Sequence, residues 1–283
     1  MNDQPLAVPA APATVADPQR VLPDLGALVD EAPDTMALHT REAYRLFVGR
    51  ALDVARQRGP IVGGRRVAAA LRAIWYLSGN DNPYADWVLL DIGERISEIG
   101  SSLQRETQRG EDQLRALQQR GLHFSVLQSR VPQRVELGFR SPYGYAVADL
   151  VVRFDTCNRV IKTLVRKDLL PDRDGRSLIY SYTRRLRGLF EEPVRFERWL
   201  MGDELRPLCR HDFLPAAAPE ARQRVQAAMA LLGPVPRDVF TGARVPRHSR
   251  RRLELTAQEL RLLQAADLTW SPAAGETDEA TLL

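Results

Sequence analysis

The stretch YADWVLLDIGERISEIGSSLQRETQRGEDQLRAL, residues 84–117, contains the longest periodic pattern in the 283-residue chain. Its apolar residues recur at intervals of four and three, the spacing of one helix face: Ala85, Leu89, Ile92, Ile96, Ile99 and Leu103, and the pattern returns at Leu114 and Leu117. A helix of this length extends about 50 Å. Such a seam predicts packing against another long helix, either within the chain or across a dimer. Gly100 and Gly110 leave a kink, or two shorter helices, as alternatives.

The residues before this stretch predict two shorter helices. Thr40 is placed to cap an amphipathic helix that runs to Gly59-Pro60. A second helix is predicted from Val67 to Leu77, and Pro83 suits the first position of the long helix. Residues 39–121 are therefore predicted to form a helical domain.

Beyond the long helix the apolar period changes to two, which is typical of strands. The residues that show it are Phe124 and Val126, then Val135, Leu137 and Phe139. We expect two short strands or one hairpin here. A turn at residues 141–144 then opens an apolar helix through Leu164, and residues 171–175 end it. A second helix, Arg176 to Phe190, places Arg184, Arg185 and Arg187 opposite its apolar face.

The last third of the chain is less regular. It contains one predicted helix from Pro219 to Leu232 and another that starts at the capping box of Thr256 and Glu259. Residues 122–268 thus combine a strand-helix-helix segment with C-terminal helices. The fold class predicted for the whole chain is mainly α, with a short β ribbon or hairpin and a ribbon-helix-helix-like segment.

The two ends differ from the body in composition and charge. Residues 1–38 are rich in Ala and Pro and residues 269–283 are acidic, so both are predicted to be disordered. Residues 1–38 carry six acids against Arg20, and residues 273–283 carry three acids and no base. Because the whole chain has a formal charge of +4, the residues between carry +12. A basic body with acidic ends suits contact with a polyanion, although surface solubility also explains it.

Several protein classes receive no support from the sequence. No apolar stretch approaches the roughly 20 residues of a membrane span, and no secretory signal is evident, so a cytoplasmic location is expected. The chain has only two cysteines, Cys157 and Cys209, which cannot form a disulfide framework or a cysteine-rich metal site. Cys209-Arg210-His211-Asp212 has residue types that ligate metals but lacks a second pair at ligand spacing. We therefore predict neither a metal nor another cofactor.

Enzymatic motifs are also missing. The sequence contains no phosphate loop, dinucleotide-binding glycine motif, zinc-protease motif or nucleophile elbow. Asp81, Asp86 and Asp91 are spaced by five, which places them on different faces of a helix, so a cap and solvated positions are expected. The chain is predicted to be a binding protein rather than an enzyme, without a small-molecule substrate.

A basic-edged strand that leads into two helices is the order of elements in a ribbon-helix-helix DNA reader. In that arrangement the strands of two subunits pair and enter the major groove, so a homodimer is expected and Arg134, Glu136 and Arg140 contact bases. The turn at Gly175, with Arg176 and Ser177, offers free N–H groups and a hydroxyl to a phosphate. The alternative is an ordinary half-buried edge strand.

A second basic segment lies near the C-terminus. It contains Arg244, Arg247, His248, Arg250, Arg251 and Arg252, with Pro246 among them. A flexible loop of this kind can lie along phosphates by charge alone, and we assign such contacts to Arg247, Arg250 and Arg251. A solvated loop is the alternative.

Several blocks of sequence, in order, are similar to one known family. They are REAYRLFVGR (residues 41–50), the turn at residues 59–65, RAIW (72–75), NPYADWVLL (82–90), SPYGY (141–145) and PRDVFTGARVPR (236–247). The chain resembles, from about Thr40 to Arg250, the integrating-conjugative-element proteins related to AcaB, a conjugation activator with a ribbon-helix-helix domain.

This resemblance implies a DNA-associated role without enzymatic activity, in transcriptional regulation or in maintenance of the element. It implies double-stranded DNA as the partner, with contacts at Arg134, Glu136, Arg140, Arg176 and Ser177. The alternative hypothesis is an interaction or scaffold protein of the element, in which the helix of residues 84–117 carries the function.

Overall fold

A computed structural model describes Leu28 and residues 30–53, 57, 59–251 and 255–265. In chain order the elements are β1 (Thr35–Leu38), α1 (Arg41–Val48), α2 (Gly64–Gly79), α3 (Pro83–Gln118), β2 (Gln133–Glu136), α4 (Pro142–Arg166), α5 (Asp172–Leu200), a 3-10 helix (Arg210–Phe213), α6 (Pro219–Leu232), α7 (Arg237–Phe240) and α8 (Ala257–Ala265). Met1–Pro33 is a separate unit, and Asp34 onward is a second one. The mainly helical fold class with a short two-stranded sheet is confirmed.

The long helix α3 is continuous. The Asn82 side chain accepts hydrogen bonds from the N–H groups of Tyr84 and Ala85 at 3.0 and 3.1 Å, with Pro83 at the first position. The helix passes through Gly100 and Gly110 without a break. A Cβ at Gly110 would collide with the side chain of Val160, so this glycine allows α3 and α4 to approach closely. The cost of glycine within the helix is offset by this packing.

The apolar seam of α3 is buried within the chain. It packs on α4, α2 and α5. Its buried members from Ala85 to Leu103 belong to the main core, and Leu114 belongs to a smaller cluster with Val160 and Leu164. Of the two alternatives drawn from the sequence, packing within the chain is therefore the one observed. This packing also joins the two segments that the sequence divided at residue 121, and the described residues from Asp34 onward belong to one unit.

The first helix is shorter than its apolar pattern predicted. Thr40 caps it as expected, accepting from the N–H of Ala43, but the helix ends at Val48. Gly49 has a φ of 72°, and the backbones of Gly49 and Gly63 are in direct contact. A side chain would not fit there, so the chain turns away at this point.

The β structure differs from the predicted hairpin. No strand occurs between residues 122 and 132, all of which are described. Phe124 and Val126 instead pack on a small apolar cluster of α3 and α4. β2 pairs antiparallel with β1, whose residues the sequence had placed in the disordered arm. Residues 1–27 and 29 of the predicted disordered arm lie outside the described residues, as does the predicted disordered tail, residues 269–283.

The two helices after β2 are both present, and α5 is longer than predicted. It begins at Asp172 and continues past Pro193 to Leu200. A proline within a helix costs about 3 kcal/mol or more. The buried side chains of Val194 and Leu200 beyond it show the packing that offsets this cost. Within the described residues, no helix has the length and apolar character needed to cross a membrane.

The predicted C-terminal elements are confirmed. The helix α6 has the expected bounds, Pro219–Leu232. At the start of α8 the Thr256 N–H donates to the Glu259 carboxylate at 2.7 Å, and the Glu259 N–H donates to the Thr256 hydroxyl at 3.2 Å. This reciprocal pair is the predicted capping box.

Candidate nucleic-acid interface

The two-stranded sheet, called the ribbon below, presents one face to solvent. Its register places Arg134 opposite Ala37 and Glu136 opposite Thr35, and these four side chains are exposed. Val135 and its partner Met36 point the other way and are buried in the core. Because alternate residues of a strand face opposite sides, Arg134 and Glu136 project from the same side. Small partners in β1 leave these two long side chains unobstructed.

A buried carboxylate fixes the ribbon to the helical body. Asp155 of α4 is 2% exposed and accepts hydrogen bonds from the backbone N–H of Thr40 and from its hydroxyl, both at 2.7 Å. It also accepts from the N–H of His39 at 3.1 Å. The His39 Nδ1 in turn accepts from the N–H of Ser129 at 3.2 Å. The end of β1 and the start of α1 are thus held at the middle of α4.

The other end of the ribbon is also held in place. The N–H of Leu137 donates to the carbonyl of Asp34 at 2.9 Å, which extends the pairing by one residue. The Tyr145 hydroxyl donates to the Asp34 carboxylate at 2.5 Å, and its ring meets Phe139 edge-on with centroids 5.6 Å apart. Arg140, the residue after Phe139, is exposed.

The three residues predicted to contact bases share a further property. The side chains of Arg134, Glu136 and Arg140 make no hydrogen bond or ion pair with any other residue that the structure describes. When a ligand binds a surface arginine that has no acidic partner, no ion pair within the protein has to be broken. The ribbon differs from the predicted arrangement in one respect, because both strands come from the same chain.

The predicted phosphate-binding turn is not a turn. Gly175, Arg176 and Ser177 lie inside α5, which begins at Asp172, and Gly175 does not have a positive φ. A Cβ at Gly175 would lie 2.5 Å from the side chain of Val165, so this glycine serves helix packing. Arg176 forms an exposed ion pair of 2.7 Å with Asp172. The N–H of Ser177 lies beyond the first turn and is therefore used within the helix.

The basic segment near the C-terminus is held against the body at several points. Arg244 pairs with Glu94 of α3. The Trp75 indole N–H donates to the carbonyl of His248 at 2.6 Å, and the guanidinium of Arg250 lies 5.1 Å from the Trp75 ring centroid. This segment is a strap across α2 and α3 rather than the flexible loop expected. Arg247 remains exposed.

Beneath the strap lies a buried charge network centred on Arg210, whose side chain is 0% exposed. Its guanidinium donates to the carboxylates of Asp81 at 2.5 Å and Asp86 at 2.9 Å. It also donates to the carbonyls of Val239 and Phe240 at 2.7 and 2.6 Å. One side chain thereby joins the start of α3, the 3-10 helix and α7.

Arg251 of the strap supplies the second cation of this network. Its guanidinium lies 3.2 Å from Asp86 and 3.7 Å from Asp81, and its side chain is 26% exposed. Burial raises the pKa of Asp81, and the two neighbouring arginines oppose that rise. The Ser78 hydroxyl donates to Asp86 at 2.5 Å. Arg251, which was predicted to contact DNA, therefore faces two buried carboxylates.

Sequence reasoning missed this network because it read Asp81 and Asp86 as a cap and a solvated position. Both are buried, at 1% and 0% exposure. A signal was present: Asp86 lies between Ala85 and Leu89, which belong to the apolar face of the long helix. An acid on such a face requires a buried cation, and Arg210 is the residue that fills this role.

The candidate metal motif has other contacts. Asp212 is paired with Arg224 at 3.0 Å, and His211 lies 3.5 Å from Glu259. Burial raises the pKa of the Cys209 thiol. No group of three or more His, Cys, Asp or Glu residues suited to a metal ion occurs in the described part of the chain.

The sequence of the chain matches that of one known protein family. The sequence pattern of the transcriptional regulator AcaB matches residues 24–252, which include both strands of the ribbon, α4, α5 and the strap. The chain belongs to the AcaB family of transcriptional regulators. The resemblance drawn from short sequence blocks is confirmed over more than the expected span. The AcaB pattern stops before α8, which begins at Ala257.

A structural comparison finds a crystal structure of AcaB from uropathogenic E. coli. It matches with a TM-score of 0.44 and 16% identity, covering 69% of this chain and 96% of the AcaB chain. None of the curated proteins compared matches the chain.

Proposed function

We propose that this AcaB-family protein binds double-stranded DNA and regulates transcription from an integrating conjugative element, in the cytoplasm and without catalysis. The observation that carries the proposal is the ribbon, whose exposed face presents Arg134 and Glu136 without acidic or basic partners. The family supplies the regulatory role. Arg140 at the end of the ribbon completes the proposed base-reading set.

The dimensions of the ribbon suit the major groove of DNA. That groove admits a two-stranded β ribbon, and it displays a distinct pattern of donors and acceptors for each base pair. Residues two apart in a strand are separated by about 6.6 Å. This is close to the axial rise of two base pairs, about 3.4 Å each. Arg134 therefore suits guanine O6 and N7, and Glu136 suits the amino group of a cytosine nearby.

The scaffold alternative has less support. It assigns the function to the helix of residues 84–117, and the apolar face of that helix is covered by α2, α4 and α5 of the same chain. Homodimer formation stays a prediction, as do the contacts of Arg176, Ser177, Arg247, Arg250 and Arg251 with phosphates.

The test compares DNA of the host element with random DNA. The purified full chain is titrated onto promoter fragments of the element and onto a random duplex of equal length, across a salt series. We expect tighter binding to at least one promoter fragment near physiological salt. The double variant R134A/R140A is expected to lose about 1–3 kcal/mol of that preference for each contact removed.

The matched control is R105A/R109A, which removes two exposed arginines from α3 and the same charge. It is expected to retain the preference for the promoter fragment. A preference that R134A/R140A leaves unchanged would remove the ribbon from base reading. Equal binding of all duplexes by the wild-type protein would overturn the regulatory proposal.

A further inference from the structure

A second basic surface lies on α5, far along the chain from the ribbon strands. Its side chains recur at helical spacing, so that they project from one side of the helix. We call it the arginine face, and it consists of Arg173, Arg176, Arg184 and Arg187, with Tyr180 at its centre. All five residues are exposed, and Tyr180 is 70% exposed.

The acids around the arginine face are few and mostly engaged elsewhere. No acid occurs in α5 between Gly175 and Phe190. Glu192 pairs with Arg95 of α3, and Glu98 pairs with Arg185, which lies beside the face and lines the same groove as Arg184. The nearest acid on the same side of the helix is Glu191, which is exposed and follows Arg187 by four residues. Four arginines against this one acid leave the surface positive, and with one exception the arginines form no ion pair with a described residue.

The exception is the pair between Arg176 and Asp172. Both side chains are largely exposed, 75% and 60%, and exposed pairs of this kind contribute little. The other three arginines of the face have no ion pair with any described residue. A phosphate competes easily for such side chains, because it displaces no strong internal contact.

Two open grooves border Tyr180. One, of about 740 Å³, lies between α3 and α5 and is lined by Ser177, Ser181 and Arg184 among others. The other, of about 590 Å³, lies beside α4 and is lined by Arg166, Arg176 and Arg187 among others. Hydroxyl and guanidinium donors thus occur on both sides of an exposed aromatic ridge.

Building on the DNA-binding function proposed above, we infer that the arginine face binds the phosphate backbone of double-stranded DNA independently of base sequence. The ribbon would then supply base reading, and the arginine face would supply most of the sequence-independent affinity. From Arg176 to Arg187 the helix rises about 16 Å. This corresponds to about five base pairs of a DNA strand. Guanidinium groups suit phosphates because their planar donors bind two oxygens at once.

The decisive measurement is the salt dependence of binding to a labelled duplex of random sequence. The variant R173Q/R176Q/R184Q/R187Q keeps most of each side chain and removes four charges. If all four arginines contact phosphates, the slope of log K against log salt falls by about 3–4. We expect affinity near 50 mM salt to fall at least about tenfold.

The matched control is R105Q/R109Q/R115Q/R120Q, which removes the same charge from the exposed end of α3 and the turn after it. It is expected to change the slope by less than about 1. If both variants lose affinity equally, the effect is one of net charge, and the inference is overturned. Binding of the wild-type protein to anionic phosphatidylserine vesicles in preference to the duplex would overturn it too.

The same titrations separate this inference from the proposed function. Should the wild-type protein prefer a promoter fragment while the α5 variant retains the wild-type slope, the arginine face fails and the regulatory function stands. Absence of binding to every duplex defeats both. Circular dichroism and thermal melting confirm folding, and the milder variant R184Q/R187Q, with an expected slope change of about 2, provides a second reading.

Discussion

The arginines of this protein occupy two contrasting environments. Arg210 is fully buried, with two carboxylates and three carbonyls within hydrogen-bond distance. Arg134 on the ribbon and Arg184 on α5 are exposed and have no ion pair within the described residues. The same guanidinium group therefore joins elements of the fold in one place and is available to a ligand in the other.

The difference shows why a count of basic residues does not locate a binding surface. The strap contains several arginines in sequence, yet Arg244 pairs with Glu94 and Arg251 faces Asp81 and Asp86. On α5 the arginines are spread over a longer stretch, and helical spacing brings four of them to one face. Partners within the fold, rather than density along the chain, separate structural arginines from those that remain available.

The largest effect is expected from breaking the buried network. R210M removes one charge and leaves Asp81 and Asp86 with Arg251 as their nearest cation. Breaking a buried ion pair by removing one partner costs about 3–5 kcal/mol, and we expect a loss of that order in the free energy of unfolding. Urea titration followed by circular dichroism measures it.

The control for this variant is R206M, an exposed arginine in the same segment. It is expected to change the free energy of unfolding by less than about 0.5 kcal/mol. If R210M unfolds like the wild-type protein, the network does not hold the fold together and the contrast between buried and exposed arginines loses its basis.

A smaller effect is expected at Asp155, the buried carboxylate that anchors the ribbon. D155A leaves the N–H groups of His39 and Thr40 and the Thr40 hydroxyl without their acceptor. Because unsatisfied buried donors are costly, the free energy of unfolding should fall by about 2–3 kcal/mol. Faster hydrogen exchange in β1 than in α3, relative to wild type, would show that the loss is centred on the ribbon.

D149A, at an exposed position on the same helix, serves as the control and should affect β1 little. In the folded fraction of D155A, the preference for a promoter fragment over random DNA should also decline, because the ribbon is less well positioned. Wild-type exchange rates in β1 would show that Asp155 is not its anchor.

Within the strap, Arg251 and Arg247 provide a matched comparison. R251Q removes a cation 3.2 Å from buried Asp86, so we expect a loss of about 1–2 kcal/mol in the free energy of unfolding. R247Q, at an exposed position, should leave stability unchanged within about 0.5 kcal/mol. Parallel titrations of both folded variants with random DNA test the predicted phosphate contacts. A stability loss for R247Q as large as that for R251Q would contradict the assignment of Arg251, rather than Arg247, to the buried charge network.

The elements predicted best are those that local chemistry determines. The cap and proline at the start of α3, the capping box before α8 and the strand-helix-helix order were all evident in the sequence and are observed. The end of α1 and the partner of β2 were not, because both depend on residues brought together by the fold. Gly49 meets Gly63, and β2 meets a strand almost a hundred residues earlier.

The site shows the same division. Alternation in β2 correctly indicated that Arg134 and Glu136 share a face, since that follows from strand geometry alone. The place of Asp86 on an apolar helix face was a sign of its burial, but its pairing with Arg210 required knowledge of which elements converge on the start of α3. Likewise, Gly175 was a plausible turn residue by sequence, but its role is to allow close packing against Val165.

The smallest effect is expected at the partly exposed ion pair between Glu42 and Lys162. Burial would raise the pKa of Glu42, but the hydrogen bond from Lys162 at 2.8 Å, together with a backbone hydrogen bond and the charges of Lys162 and Arg45, lowers the pKa below the usual 4.5. A lowered folded-state pKa contributes stability above the unfolded value and loses it as pH falls through the folded value. Both side chains are over a third exposed, so the contribution should stay below about 1 kcal/mol. E42Q should therefore be slightly less stable than wild type at pH 7, and the difference should shrink as the pH falls below the unfolded-state value of 4.5. A difference that persists in acid would show that Glu42 acts through packing rather than charge.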